Sequence, residues 1–314
     1  MACMRVTVVG CAGSFPGPDS PASCYLLEAE GFRLVIDLGN GALGALQRFA
    51  GLFDIDAICV SHLHADHCAD LGTYWVVRQY PEDGPKPPIP VHGPRGTAKR
   101  MADLGSTVVN AVQARFGFCD LEPGTTEIGP FRVTADRMNH PVETFGFRVE
   151  HAGWRLAYSA DTGESEALVR LAAGTDVLLC EASFLDGQDT RPDLHLTARQ
   201  AAAHAARAGV GQLVLTHLVP WNDRNRTLAA HSTRVRPNST STDPSAWSSQ
   251  PRLSFTGRSS VTDRPSGRDM TLSLSASGGW GGGPENQTGG GQRERAPVDP
   301  VRLGERPVPV VPRH

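Results

Sequence analysis

Ser61-His62-Leu63-His64-Ala65-Asp66-His67 directly follows the apolar run at residues 55–60, and the reading of this stretch decides the fold. Four side chains able to hold a metal, His62, His64, Asp66 and His67, fall within six residues after what reads as a buried strand. A strand ending at Val60 holds the backbone still, and the turn after it can aim His62 and His64 to one side. A helix starting near Ala65 puts Asp66 and His67 in its first turn, pointing back over the same spot. Imidazole and carboxylate together suit zinc, with iron or manganese as alternatives. Two ligand pairs this close would crowd one ion, so a pair of ions about 3.5–4 Å apart is the natural reading. A merely solvated, His-rich loop would not explain the agreement between spacing, ligand chemistry and the preceding strand.

The pattern His62-x-His64-x-Asp66-His67 resembles the HxHxDH signature of the metallo-β-lactamase superfamily, and the likeness continues in order to about Arg226. The resemblance implies an α/β fold, a four-layered αββα sandwich with a binuclear centre on one edge. Within the superfamily the chain is similar to the ribonuclease Z-like and cyclic nucleotide phosphodiesterase branches.

Working outward, residues 4–10 read as a buried strand, and 23–28 with 32–37 as a hairpin turning at Glu30-Gly31. Asp37-Leu38-Gly39-Asn40-Gly41 then turns the chain into a helix at 42–50. Family members carry a similar Asp-x-Gly turn, which implies that Asp37 orients a ligand rather than binding metal. Helices are expected at 71–80, 94–104 and 198–208. Strands are expected at 89–92, 176–180 and 212–216, and hairpins at 127–135 and 145–159. His92 and His204 read as structural, and His151, at a hairpin tip, as solvated.

Four further positions acquire roles only through the resemblance. His140, in Met138-Asn139-His140-Pro141, matches the third histidine ligand, and His217 matches the last one. Asp161 matches the aspartate that bridges two metals. Classical zinc β-lactamases have Cys there, which argues against antibiotic hydrolysis. The resemblance thus implies His62, His64 and His140 on one ion, Asp66, His67 and His217 on the other, and Asp161 shared. Glu181-Ala182-Ser183-Phe184 resembles the His-Glu-Ala-Thr motif of ribonuclease Z-like enzymes, with Cys180 where they have His, and His195-Leu196-Thr197 resembles their His-Ser-Thr motif. The implied roles are Glu181 steadying His195, and His195 protonating the leaving oxygen. A carboxylate partner raises an imidazole pKa and favours the proton-donating form. Thr197 is a credible N-cap for the helix after it.

The resemblance implies a hydrolase using two Zn2+ per chain, with Mn2+ or Fe2+ as alternatives. A hydroxide held between the metals would attack, and Asp66 would orient it. The Glu181/His195 pair favours a phosphodiester with an alkoxide leaving group, so a phosphodiesterase acting on 3′,5′-cyclic nucleotides ranks first. A tRNA 3′-processing endonuclease ranks second. Such enzymes carry a basic arm after the third histidine, whereas here only 20 residues lie between His140 and Asp161. A thioester or lactone hydrolase ranks third.

Residues 1–230 carry 19 basic against 26 acidic side chains, which does not advertise a face for nucleic acid. A small phosphodiester substrate and no membrane partner are expected, and a homodimer stays open. Seven cysteines without a CxxC pair, and no membrane-length apolar run, fit a reducing, cytoplasmic setting. Residues 1–230 read as the hydrolase domain. Residues 231–314 hold 13 Ser, 11 Gly and 10 Pro without periodicity, and read as a low-complexity, disordered tail. Family members continue here with a helix and closing strands, so a frameshift near Ala230 is the sharper explanation.

Overall fold

The strands alternate apolar side chains between two faces, and that alternation builds three apolar layers. In β2 (Cys24–Ala29), Tyr25 and Leu27 face one side while Cys24 and Leu26 face the other. The computed structural model describes residues 3–188, 191–223, 227, 252–253, 259–261 and 269–274. Its first sheet has the order β14-β15-β1-β2-β3-β4-β5-β6. These strands are β1 (Cys3–Gly10), β2, β3 (Phe32–Ile36), β4 (Ala57–Cys59), β5 (Ile89–Gly93), β6 (Phe116–Asp120), β14 (Ser259–Val261) and β15 (Asp269–Leu274). The second sheet has the order β13-β12-β11-β10-β9-β8-β7. Its strands are β7 (Gly124–Ile128), β8 (Phe131–Arg137), β9 (Phe145–His151), β10 (Trp154–Tyr158), β11 (Val177–Glu181), β12 (Gln212–Thr216) and β13 (Arg252–Leu253).

Between the sheets lies a core that includes Tyr25, Leu27, Ile36, Phe131, Phe147 and Leu179. The outer face of the first sheet is covered by α1 (Ala42–Leu46), α3 (Asp70–Gln79), α4 (Thr97–Leu104) and α5 (Val109–Gln113), through Leu43, Leu46, Leu71, Met101 and Val112. The outer face of the second is covered by α6 (Glu166–Leu171) and α7 (Ala198–Ala208), through Leu168, Ala201 and Ala205. Two sheets with helices outside both make the expected αββα sandwich. Phe147 is fully buried at its centre. Phe147→Ala is expected to cost about 3–5 kcal/mol, read as a lower urea midpoint with an unchanged slope.

Several elements differ in detail from the sequence expectation. The helix expected at 42–50 ends at Leu46 and tightens into turns, with Arg48 N–H on Ala45 O and Phe49 N–H on Leu46 O. The helix expected from 94 starts at Thr97, because Pro94-Arg95-Gly96 forms a turn closed by Thr97 N–H and Oγ1 on Pro94 O. His151 is not solvated. Its ring is buried edge-on to Phe131, with Nδ1 donating to Pro130 O at 3.0 Å. The turn beyond it is made instead by Ala152 and Gly153, both at positive φ. Thr197 does cap α7, in a reciprocal capping box with Gln200. His204 is structural, its Nε2 accepting the Ser165 N–H that precedes α6.

Beyond residue 230, β15 runs parallel to β1, β14 pairs with β15, and β13 pairs with β12. The rest of the C-terminal stretch lies outside the described residues, and with it the expectations of a tail and a frameshift. None of the helices among the described residues is long and apolar enough to cross a membrane.

The topology gathers one set of strand ends. The carboxyl ends of β3, β4, β8, β10 and β12 lead to Asp37, the 61–67 stretch, His140, Asp161 and His217. Ligand sites in sheets with parallel strands favour such ends. Three hydrogen bonds tie the sheets together there: Phe145 N–H to Ser61 O at 2.9 Å, Tyr158 OH to Asp37 Oδ2 at 2.9 Å, and the buried Tyr25–Thr216 hydroxyl pair at 2.5 Å.

Candidate metal centre

The turn after β4 does what its spacing promises. His64 sits at the N-cap of α2 (Ala65–Cys68), and Asp66 and His67 occupy the first turn of that helix. His62 and His67 are fully buried, and Asp66 nearly so. The loop is clamped from beneath: Leu38 N–H bonds His67 O at 2.8 Å, and a Cβ on Gly39 would lie 2.0 Å from Asp66 O. Only glycine allows that approach.

All seven residues read as ligands come together, as two four-membered groups that share Asp161. In the first group, His62 Nε2 lies 3.1 Å from His64 Nδ1, His140 Nε2 lies 3.3 Å from the same atom, and Asp161 Oδ2 is 3.6 Å from His62 Nε2. In the second, Asp66 Oδ2 is 3.0 Å from His217 Nε2 and 3.6 Å from His67 Nε2. Asp161 Oδ1 there is 3.2 Å from His67 Nε2 and 3.3 Å from His217 Nε2. These are the edge lengths of a ligand tetrahedron: with metal–ligand bonds of about 2.0–2.1 Å, the edges come to about 3.4 Å. Each oxygen of Asp161 faces a different group.

Proton placement points the same way. Leu194 O can only accept, so His140 Nδ1 donates to it at 3.0 Å, which leaves Nε2 as a lone pair toward His64. His67 Nδ1 donates to Asp37 Oδ2 at 2.8 Å, so its Nε2 lone pair faces Asp161 Oδ1. Both of those facing atoms are buried without a hydrogen-bond partner. Two facing acceptors at this range call for a cation between them, and the donor set fits a divalent metal. Burial lowers the pKa of His62, with the neighbouring His67 adding to it, and burial likewise lowers His64 and His140, so these imidazoles are neutral, the form that can ligate a metal. Burial would also lower His67, but Asp161 and Asp37 outweigh it and raise the pKa, so the ring favours a positive centre on Nε2 facing Asp161, whether a proton or, in the neutral tautomer, a metal ion. Burial would raise Asp66 and Asp161, yet the histidines around them hold both carboxyls well below their usual range.

Two further ring nitrogens are tied from behind, which fixes how those rings face the site. His62 Nδ1 lies 3.1 Å from Ser61 Oγ, and His217 Nδ1 lies 2.7 Å from Ser183 Oγ. Asp37 acts as expected of an orienting residue, and also collects Ser61 N–H, Ser61 Oγ and Tyr158 OH at 2.7, 2.8 and 2.9 Å. Asp37, Ala160 and His217 all adopt positive φ (59°, 51° and 53°). Such backbone costs roughly 1–3 kcal/mol each, and it is typical of functional sites.

Beside the second group stands the Glu181/His195 pair. His195 Nδ1 lies 3.1 Å from Glu181 Oε1. Glu181 is fully buried, and its other oxygen accepts Ser183 Oγ and Leu196 N–H. Burial would lower the His195 pKa, but the Glu181 carboxylate raises it. Cys180, in the position where the related motif has His, packs its thiol in the core against α7 and away from the site. Ser61, Tyr158 and Ser183 were not singled out from the sequence. Each meets the site through contacts that no local motif announces.

Buried histidines and carboxylates in two groups, at the strand ends of an αββα sandwich, define the site of a metallo-hydrolase. Comparison with known proteins agrees: residues 33–218 match the model of the beta-lactamase superfamily domain, and the chain belongs to that superfamily. Uncharacterized protein Rv1339 of Mycobacterium tuberculosis is 43% identical over 229 residues, covering 70% of this chain and 83% of that protein. Ribonuclease Z of Mycolicibacterium paratuberculosis is 33% identical over 249 residues, covering 69% and 86%. Among solved structures, the metallo-beta-lactamase fold protein YhfI from Bacillus subtilis superposes with a TM-score of 0.66 at 27% identity, over 73% of this chain and 92% of that one.

Proposed function

We propose that the chain is a binuclear, metal-dependent phosphodiesterase acting on 3′,5′-cyclic nucleotides. The observation that carries this reading is the hydrogen-bonded Glu181/His195 pair beside the candidate metal groups. His62, His64 and His140 would hold one ion, Asp66, His67 and His217 the other, and Asp161 both. Two zinc ions, or manganese or iron in their place, would supply an activated water and offset charge on the attacked phosphoryl group. Asp66 is fixed through Oδ2 by the Ser14 amide, at 2.7 Å, and by His217. Its Oδ1 orients the attacking water. His195 is locked to Glu181 through Nδ1, so its Nε2–H delivers a proton to the leaving oxygen. An alkoxide leaves poorly and gains most from such a donor, whereas a thiolate would gain little. That ranks a thioester substrate last.

The ribonuclease Z relative keeps tRNA 3′ processing as the second reading. Against it, the chain between His140 and Asp161 makes only the β9–β10 hairpin, and between Asp161 and β11 only α6 and its turns. Neither stretch projects an arm, and residues 1–230 are acidic. A reducing cytosol suits Cys24, Cys59, Cys68, Cys119 and Cys180, five free cysteines among the described residues, four of them buried.

Purified protein loaded with zinc or manganese and offered cAMP, cGMP, bis-p-nitrophenyl phosphate and a pre-tRNA separates the readings. Turnover of the small diesters with weak or no pre-tRNA cleavage is expected. An efficient, site-specific cut at a pre-tRNA 3′ trailer would reverse the ranking.

A further inference from the structure

An aromatic ledge stands at the rim of the candidate metal centre, and neither the fold nor the hydrolytic chemistry accounts for it. Trp221 is 77% exposed, the most exposed of the large apolar side chains among the described residues. Its ring lies 4.6 Å, centroid to centroid, from that of Phe15, tilted by 40°. An exposed indole leaves a large apolar face in water, so it signals a surface that something else covers.

Hydrogen bonds anchor the ledge and tie its position to the site. Trp221 occupies the third position of a turn, Val219 to Asn222, closed by Asn222 N–H on Val219 O at 2.9 Å, with Pro220 at the second position. That turn begins two residues after His217. Asn222 Nδ2 donates to Ser183 O at 2.8 Å, and the Ser183 hydroxyl in turn meets His217 Nδ1. Phe15 follows Ser14, whose N–H holds Asp66 Oδ2, so the Cα of Phe15 lies one step of about 3.8 Å beyond an anchor on the site itself. The two loops are laced together. Gly13 N–H bonds Leu218 O at 3.1 Å, Leu218 N–H bonds Cys11 O at 2.9 Å, and a Cβ on Gly13 would lie 2.5 Å from His217 Nδ1. A Cβ on Gly17 would touch Pro220 at 3.3 Å. Both aromatic rings therefore ride on loops whose other residues hold candidate ligands.

We propose that Trp221, backed by Phe15, is the stacking platform for the nucleobase of the cyclic nucleotide, and so a determinant of substrate affinity. The inference rests on the phosphodiesterase reading. With the phosphate at the metal groups, the base must project to the rim, and a flat aromatic face accepts any base because every base presents a π-face. A ledge of two rings matches one base in size, and its pre-set turn orders no chain on binding.

The test compares cAMP with the 3′,5′-cyclic phosphate of methyl riboside, which carries the same diester without a base. Trp221→Ala is expected to raise KM for cAMP by roughly 5- to 150-fold, the usual worth of one stacked base, with kcat nearly held. The KM for the base-free diester should shift by less than twofold. Trp221→Phe should recover most of the cAMP affinity. An unchanged cAMP KM in Trp221→Ala, an equal loss on both diesters, or a change in sedimentation that moves a dimer to monomer would each overturn the platform. Failure of the unmutated enzyme to cleave either diester would instead sink the phosphodiesterase reading, and the platform with it.

Discussion

Replacing Asp161 with alanine is expected to abolish hydrolysis and to lower the bound metal below two ions per chain. The two oxygens of this carboxylate face different ligand groups, Oδ1 toward His67 and His217 and Oδ2 toward His62. Its removal takes one ligand from each group and the only charge they share. Asp37 cannot take its place, because it is already engaged by His67, Ser61 and Tyr158. His64→Ala provides the contrast: it removes a ligand from the first group only, so it should cost one ion and leave the other in place. Metal content by plasma emission, read beside the circular dichroism spectrum, separates ligand loss from unfolding. A fully active Asp161→Ala protein holding two ions would end the binuclear reading.

The second large effect falls on His195. His195→Ala should keep both metals yet lose roughly 10²- to 10⁴-fold in rate on a substrate with an alkoxide leaving group, the usual worth of a positioned proton donor. The loss should shrink for bis-p-nitrophenyl phosphate, since nitrophenolate departs without a proton. Glu181→Gln should show a milder form of the same selectivity, because the amide can still accept from His195 Nδ1 but no longer favours the protonated ring. Equal losses on good and poor leaving groups would remove His195 from this role.

The difference between what was legible in the sequence and what was not follows contact distance along the chain. His62, His64, Asp66 and His67 act within one turn, so their spacing alone carries the reading. His140, Asp161 and His217 are single residues after separate strands, and only resemblance to a family could join them. The partners that orient them were out of reach for a plainer reason. Tyr158 meets Asp37 across 121 positions and Ser183 meets His217 across 34, and a lone hydroxyl in a strand or turn gives no signal. Cys180 was more readable than it looked. Neighbours in a strand face opposite ways, so a Glu181 that points into the site sends Cys180 into the outer core. His151 misled because a hairpin tip suggests water, whereas β9 carries its ring back over Phe131. The short α5 and α6, and β6 with its mostly exposed surface, offer too few apolar positions for a period to show.

The most direct test of the central claim is anomalous diffraction from crystals of the metal-loaded protein, collected on both sides of the zinc edge. Two peaks per chain are predicted, one among His62, His64 and His140 and the other among Asp66, His67 and His217, with Asp161 reaching both. A single peak, or none in a protein that still cleaves a phosphodiester in the presence of chelator, would contradict it.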